Sequence, residues 1–193
     1  MLSSIGTGLL TACAALLFGS TVYATPIDYI FTGTGTGTLN GTPFSGSFTV
    51  TEVGDTATVS GPSGGEFTDV ASSATFVAGA LTATLTDTTN EVIDNTAAPG
   101  FIGFAQTSPL AVEATTNTVF ETYNLKTALP LTVGTPSFSS LTGTYSTSVG
   151  DLDFTTMTAL NFEAVVVPEP ASLAIFGTAL GGFVLIRRRR KQA

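Results

Sequence analysis

The chain has 193 residues, fourteen acids against six bases for a net charge of −8, no histidine, no tryptophan and one cysteine. Without histidine or a cysteine beyond Cys13, neither a Ser-His-Asp nor a Cys-His set can be assembled, and zinc lacks its usual nitrogen and sulfur ligands. An acidic surface repels phosphate backbones, so nucleic acid is not expected as a partner.

In chain order, residues 1–24 read as a secretory signal peptide. An apolar stretch from Leu9 to Gly19 is followed by Val22-Tyr23-Ala24, whose small residues suit signal peptidase, so cleavage is expected between Ala24 and Thr25. No lysine or arginine precedes the apolar stretch, and Leu10-Thr11-Ala12-Cys13 also spells a lipobox. With Cys13 in the leader, the exported body carries no cysteine and is stabilised by its core alone.

The body, residues 25–166, is long enough for one domain that buries roughly two thirds of its unfolded surface. Threonine, valine and phenylalanine dominate it, and no stretch sustains an apolar period of 3.6 residues, so the class is all-β. Ile27 to Leu39 leads through Asn40-Gly41-Thr42-Pro43 to Phe44 to Val53, a hairpin signal in which the even positions Phe44, Phe48 and Val50 face inward. Glycines 33, 35 and 37 alternate with threonines; no helix follows and no cation is near, so the run is a strand on whose glycine face something bulky packs, not a phosphate loop. Further strands are expected in Ser73 to Thr86, Phe101 to Gln106, Thr118 to Leu125 and Asp151 to Val167. Loops are expected at Gly61 to Gly65, Asp87 to Gly100 and Pro130 to Ser137. Strands at such intervals predict a β-sandwich, jelly-roll or Ig-like.

Candidate chemistry in the body rests on carboxylates alone. Asp151 and Asp153 alternate on one strand face, and Asp87, Glu91 and Asp94 are expected in one loop; such sets serve glycosidases or calcium sites, but solvated surface acids are the default reading. No metal, cofactor or catalytic residue is therefore assigned. Tyr29, Tyr123 and Tyr145 are the aromatic rings offered for stacking on carbohydrate. The body holds thirteen acids against Lys126 alone, a formal −12 that favours solubility at a crowded surface.

The end of the chain has three parts in order: Val167-Pro168-Glu169-Pro170, an uncharged apolar run from Ala171 to Ile186, and Arg187-Arg188-Arg189-Arg190-Lys191. Pro168 and Pro170 lack N–H donors, so neither continues a ladder or helix. Sixteen helical residues would span roughly 24 Å against a hydrocarbon core of roughly 30 Å, a short transmembrane helix. Its eight strongly apolar side chains favour insertion by roughly 2 to 5 kcal/mol, partly offset by glycines. Five cations after the run hold the C-terminus in the cytoplasm and leave the body outside.

This tail resembles the PEP-CTERM sorting signal of exopolysaccharide-producing Gram-negative bacteria in all three parts and in their order. The resemblance implies that Val167, Pro168, Glu169 and Pro170 are the recognition element, that Arg187 to Lys191 are the retention element, and that the partner is exosortase, a membrane-embedded cysteine transpeptidase. Tyr29 to Val50 is also similar, more loosely, to the opening hairpin of many ectodomains of this family. The implied role is a non-enzymatic surface or matrix protein, exported by Sec, held in the inner membrane by its tail and associated with exopolysaccharide or biofilm. The alternative is an adhesin or calcium-dependent carbohydrate-binding module.

Overall fold

The computed structural model describes residues 25–63, 65–87, 89–107, 110–140 and 143–168. The leader, the motif from Glu169 onward, the apolar run and the basic cluster lie outside the described residues.

The expectation of an all-β body holds. The strands are β1 (Pro26–Leu39), β2 (Thr42–Asp55), β3 (Ser60–Ser63), β4 (Glu66–Val70), β5 (Ser73–Ala78) and β6 (Leu81–Thr84). They continue as β7 (Thr89–Asp94), β8 (Phe101–Thr107), β9 (Leu110–Thr116), β10 (Leu129–Ser140), β11 (Tyr145–Thr147) and β12 (Gly150–Val166). Asn40 and Gly41, at φ 49° and 74°, make the two-residue turn between β1 and β2, as a tight hairpin requires.

β1 is paired along its whole length on both sides. β2 flanks one side, from Leu39↔Thr42 to Pro26↔Asp55, and β12 flanks the other, from Leu39↔Leu152 to Ile27↔Val166. Phe44 packs on Gly37 and Phe48 on Gly33, so a Cβ at either glycine would enter a phenyl ring. The bulky cover expected over the glycine face is therefore supplied by the returning strand. Register shifts in the β1–β12 ladder at Thr34/Gly35 and Thr36/Gly37 add local twist.

The predicted sandwich is corrected in one respect: the strands make one continuous sheet, β3-β4-β7-β8-β9-β10-β12-β1-β2-β5-β6, with β11 beside β12. The sheet curls into a half-barrel. β10 is the reason there are not two sheets, because Leu129–Gly134 pairs with β12 while Thr135–Ser140 pairs with β9. At the transfer point Gly134 lies against Thr115, whose hydroxyl donates to the Leu160 carbonyl at 2.7 Å. Any side chain at 134 would wedge these strands apart. Curling brings Phe31 on β1 to 5.0 Å from Phe104 on β8, ring centre to ring centre, and Phe104 to 5.4 Å from Tyr145.

Four loop or strand assignments also change. Pro130 to Ser137 lies within β10, where Pro130 falls at a register shift that tolerates its missing donor. Asp87 to Gly100 contains β7, and Gly61 to Gly65 overlaps the β3–β4 hairpin. Thr118 to Leu125 is not a strand: Thr118–Glu121 forms a 3-10 turn capped by the Asn117 side chain, which accepts from Val119 N–H. It sends Phe120 and Tyr123 into the core against Phe162.

Phe104 contacts rings from three strands of the facing half, so Phe104→Ala should lower the unfolding free energy by about 3 to 5 kcal/mol in urea titration. A loss below about 1 kcal/mol would show that the halves are not packed through this ring.

Candidate functional site

The site with the clearest geometry is where the chain leaves the sheet. Val166 is the last residue of β12 and pairs with Ile27; Val167 then donates its N–H to the Pro26 carbonyl at 2.9 Å. Pro168 is exposed and has no N–H to extend the ladder. The start of β1 is beside it, and Thr25, one residue before Pro26, accepts from Thr56 N–H at 3.2 Å. Of the sorting residues named from sequence, Val167 and Pro168 are thus placed at the end of the central strand pair. Glu169, Pro170, Arg187 to Lys191 and, at the leader junction, Ala24 lie outside the described residues.

Residues 166–190 match the PEP-CTERM protein-sorting motif. A chain carrying this motif is one that exosortase sorts to the cell surface. The match begins on the last residue of β12, so motif and sheet meet without a linker. Comparison with curated proteins gave no match, and neither did comparison with solved structures. Among the described residues no helix is long and apolar enough to cross a membrane.

The carboxylates singled out from sequence do not converge. Asp153 accepts from the Thr144 hydroxyl at 2.6 Å on the outer face, with Asp151 exposed two residues earlier. Glu91 lies in the middle of β7 and Asp94 at its end, not in one loop with Asp87, because residues 89–94 pair with β4 and β8. The Asp94 carboxylate closes its own turn, accepting from the Thr96 hydroxyl at 2.6 Å, Thr96 N–H at 2.8 Å and Ala97 N–H at 3.3 Å. These bonds hold its pKa below the ordinary carboxylate value. Among the described residues no group of three or more His, Cys, Asp or Glu is placed to share a metal ion. The tyrosines are also corrected: Tyr29, Tyr123 and Tyr145 are all buried in the core, out of reach of a stacking sugar.

A different set of polar residues lies inside. Glu52 is 0% exposed and Glu113 2%, both on the core face, together with Asp69, Gln106, Thr89 and Thr115. Asp69 is well satisfied, accepting from Tyr29 hydroxyl and Asp55 N–H at 3.0 Å each and from Thr58 hydroxyl at 2.5 Å. Glu52 has no hydrogen-bond partner for either oxygen, and Glu113 has none for Oε2. Burial pushes both glutamates up to about 8; Asp69 raises Glu52 further, while the nearby Thr89 hydroxyl pulls it down without reaching hydrogen-bond geometry. Acids this enclosed are closed to a polysaccharide, so they do not make a glycosidase cleft. The alternation Phe48-x-Val50-x-Glu52 could have located Glu52, since its even positions face inward; reading acids as surface by default conceals it.

Because the folded pKa of each glutamate is raised, the native state holds protons that the unfolded chain releases above its ordinary value near 4.5. Stability is therefore greatest on the acid side of this window and falls as pH rises from about 5 to 8, by up to about 1.4 kcal/mol per unit for each group. Thermal melts across that range should show the decline, and Glu52→Gln with Glu113→Gln should flatten it. A wild-type profile that is level or rises from pH 5 to 8 would contradict the assignment.

Proposed function

We propose that this chain is a non-enzymatic surface or extracellular-matrix protein whose all-β domain is delivered and then released through its C-terminal signal. The observation that carries the reading is the sorting motif that starts on the final residue of β12. Export runs through Sec with cleavage between Ala24 and Thr25. The run Ala171 to Ile186 then holds the precursor in the inner membrane, with Arg187 to Lys191 on the cytoplasmic side. Exosortase reads Val167, Pro168, Glu169 and Pro170, and the folded domain joins the exopolysaccharide or biofilm matrix. The short apolar run suits a provisional anchor, and the sequestered acids and tyrosines favour a domain acted upon over one that catalyses. An adhesin or calcium-bridged glycan binder has less support, since Asp94 is engaged by its own turn.

Mass spectrometry of the mature protein from an exosortase-bearing host tests the processing. The expected C-terminus lies near Pro168 to Pro170, and replacing Pro168-Glu169-Pro170 by alanines should leave the precursor uncut. Recovery of an intact Arg187 to Ala193 peptide from wild-type surface protein would sink the reading. Since Val167 is held by Pro26, inserting six Gly/Ser residues after Val167 should also raise the processing rate, measured by pulse-chase, if strand pairing limits access.

A further inference from the structure

The outer face of β1 and β2 is a plain of hydroxyls: Thr32, Thr34 and Thr36 beside Ser45, Ser47 and Thr49. Next to it, around the tail exit, the surface changes character. Leu131 is 55% exposed and Val133 71% on β10, and Val165 is 39% exposed on the adjoining β12. The register shift between Leu129 and Thr132 is what turns Pro130 and Leu131 outward in succession. Asn117 ties the exposed Val119 to the same region, because it accepts from Val119 N–H and donates to the Val133 carbonyl at 2.8 Å. A hollow of about 370 Å³ lined by Leu129, Pro130, Glu163, Val165 and Val166 lies at the point where the chain departs.

We infer that this face lies against the lipid headgroup–acyl boundary of the membrane that holds the tail, with Pro130, Leu131, Val133 and Val165 as the contact. The inference rests on the apolar run being the membrane segment proposed above. Ala171 is four residue steps beyond Val167, a reach of at most roughly 14 Å, so the domain cannot stand far from the bilayer. Val133 pairs with Asn161, five residues or roughly 17 Å along β12 from Val166, so the patch falls within comparable reach. Tethering supplies an effective concentration at which a modest apolar surface engages lipid that it would not engage from solution.

Charge sets the character of the contact. Lys126, the one cation of the exported body, is exposed three residues before β10, where it meets the headgroups as the patch settles. Asp28 and Glu163 on the same outer face oppose anionic lipid, so the contact is apolar in origin and weakens as the anionic lipid fraction rises.

The signal-processed full chain, residues 25–193, carries no cysteine, so single-site labelling is direct. Leu131→Cys and Val149→Cys, the latter at the far end of β12, would each carry an environment-sensitive dye in vesicles of phosphatidylethanolamine and phosphatidylglycerol at 3:1 with brominated acyl chains. Co-flotation with the vesicles and several-fold stronger quenching at 131 than at 149 are expected. Flotation with equal, weak quenching at both sites overturns the lipid contact while leaving the tail reading standing; absence of flotation overturns both. Shielding of position 131 only after purified exosortase is added assigns the patch to the enzyme and overturns the lipid contact.

Discussion

The β1–β12 pairing is the constraint on which the rest depends. It joins the first and last strands of the body, so that Thr36 and Thr156, 120 residues apart, come to 2.7 Å between hydroxyls. The hairpin of β1 and β2 can form locally as soon as both strands emerge. The centre of the sheet cannot, because it waits for β12, and β12 also supplies a partner for the first half of β10. Such long-range pairing is entropically late. Folding is therefore completed only when the residues just before the sorting signal have crossed the membrane, which makes arrival of the tail and closure of the domain nearly simultaneous.

Without disulfides, cohesion comes from rings. Phe31, Phe104, Phe154 and Phe162 link the two halves, and the glycines of β1 make room for Phe44 and Phe48 beneath them. A half-barrel of this kind has a wide interior, and its aromatic filling is interrupted by Glu52 and Glu113 on opposite halves. Desolvation favours their neutral forms, so at mild acidity they serve as polar filler and only at higher pH as buried charge. The core is thus tuned to a range in which these two carboxyls remain protonated.

Legibility followed linearity. β1, β2 and β12 were readable because their alternation is long and uninterrupted, and the tail because its three parts are contiguous in sequence. β10 was obscured by Pro130 and Pro136, residues that argue against a central strand, and by its division between two partners, which no local pattern encodes. The distinction between a sandwich and a curled sheet hangs on that one strand, so it was hidden for the same reason. Glu52 occupied an inward position of a recognised alternation, yet composition assigns acids to the surface. Its burial depends on how β4 and β7 fold across β2, a tertiary fact.

The exit lies where the end of β12 meets the start of β1. β12 could extend its ladder past Val167 only if it had N–H groups to offer and a neighbour to receive them. Pro168 withdraws the first, and cleavage after Ala24 would withdraw the second, leaving Thr25 as the only residue before Pro26. Among the described residues the last strand ends where the sorting motif begins. An enzyme acting at Val167 meets a residue whose N–H is held by the Pro26 carbonyl at the end of the ladder. Releasing that bond exposes Val167 while leaving the Ile27↔Val166 pairing behind it intact, so access for processing and integrity of the domain are separated by a single residue.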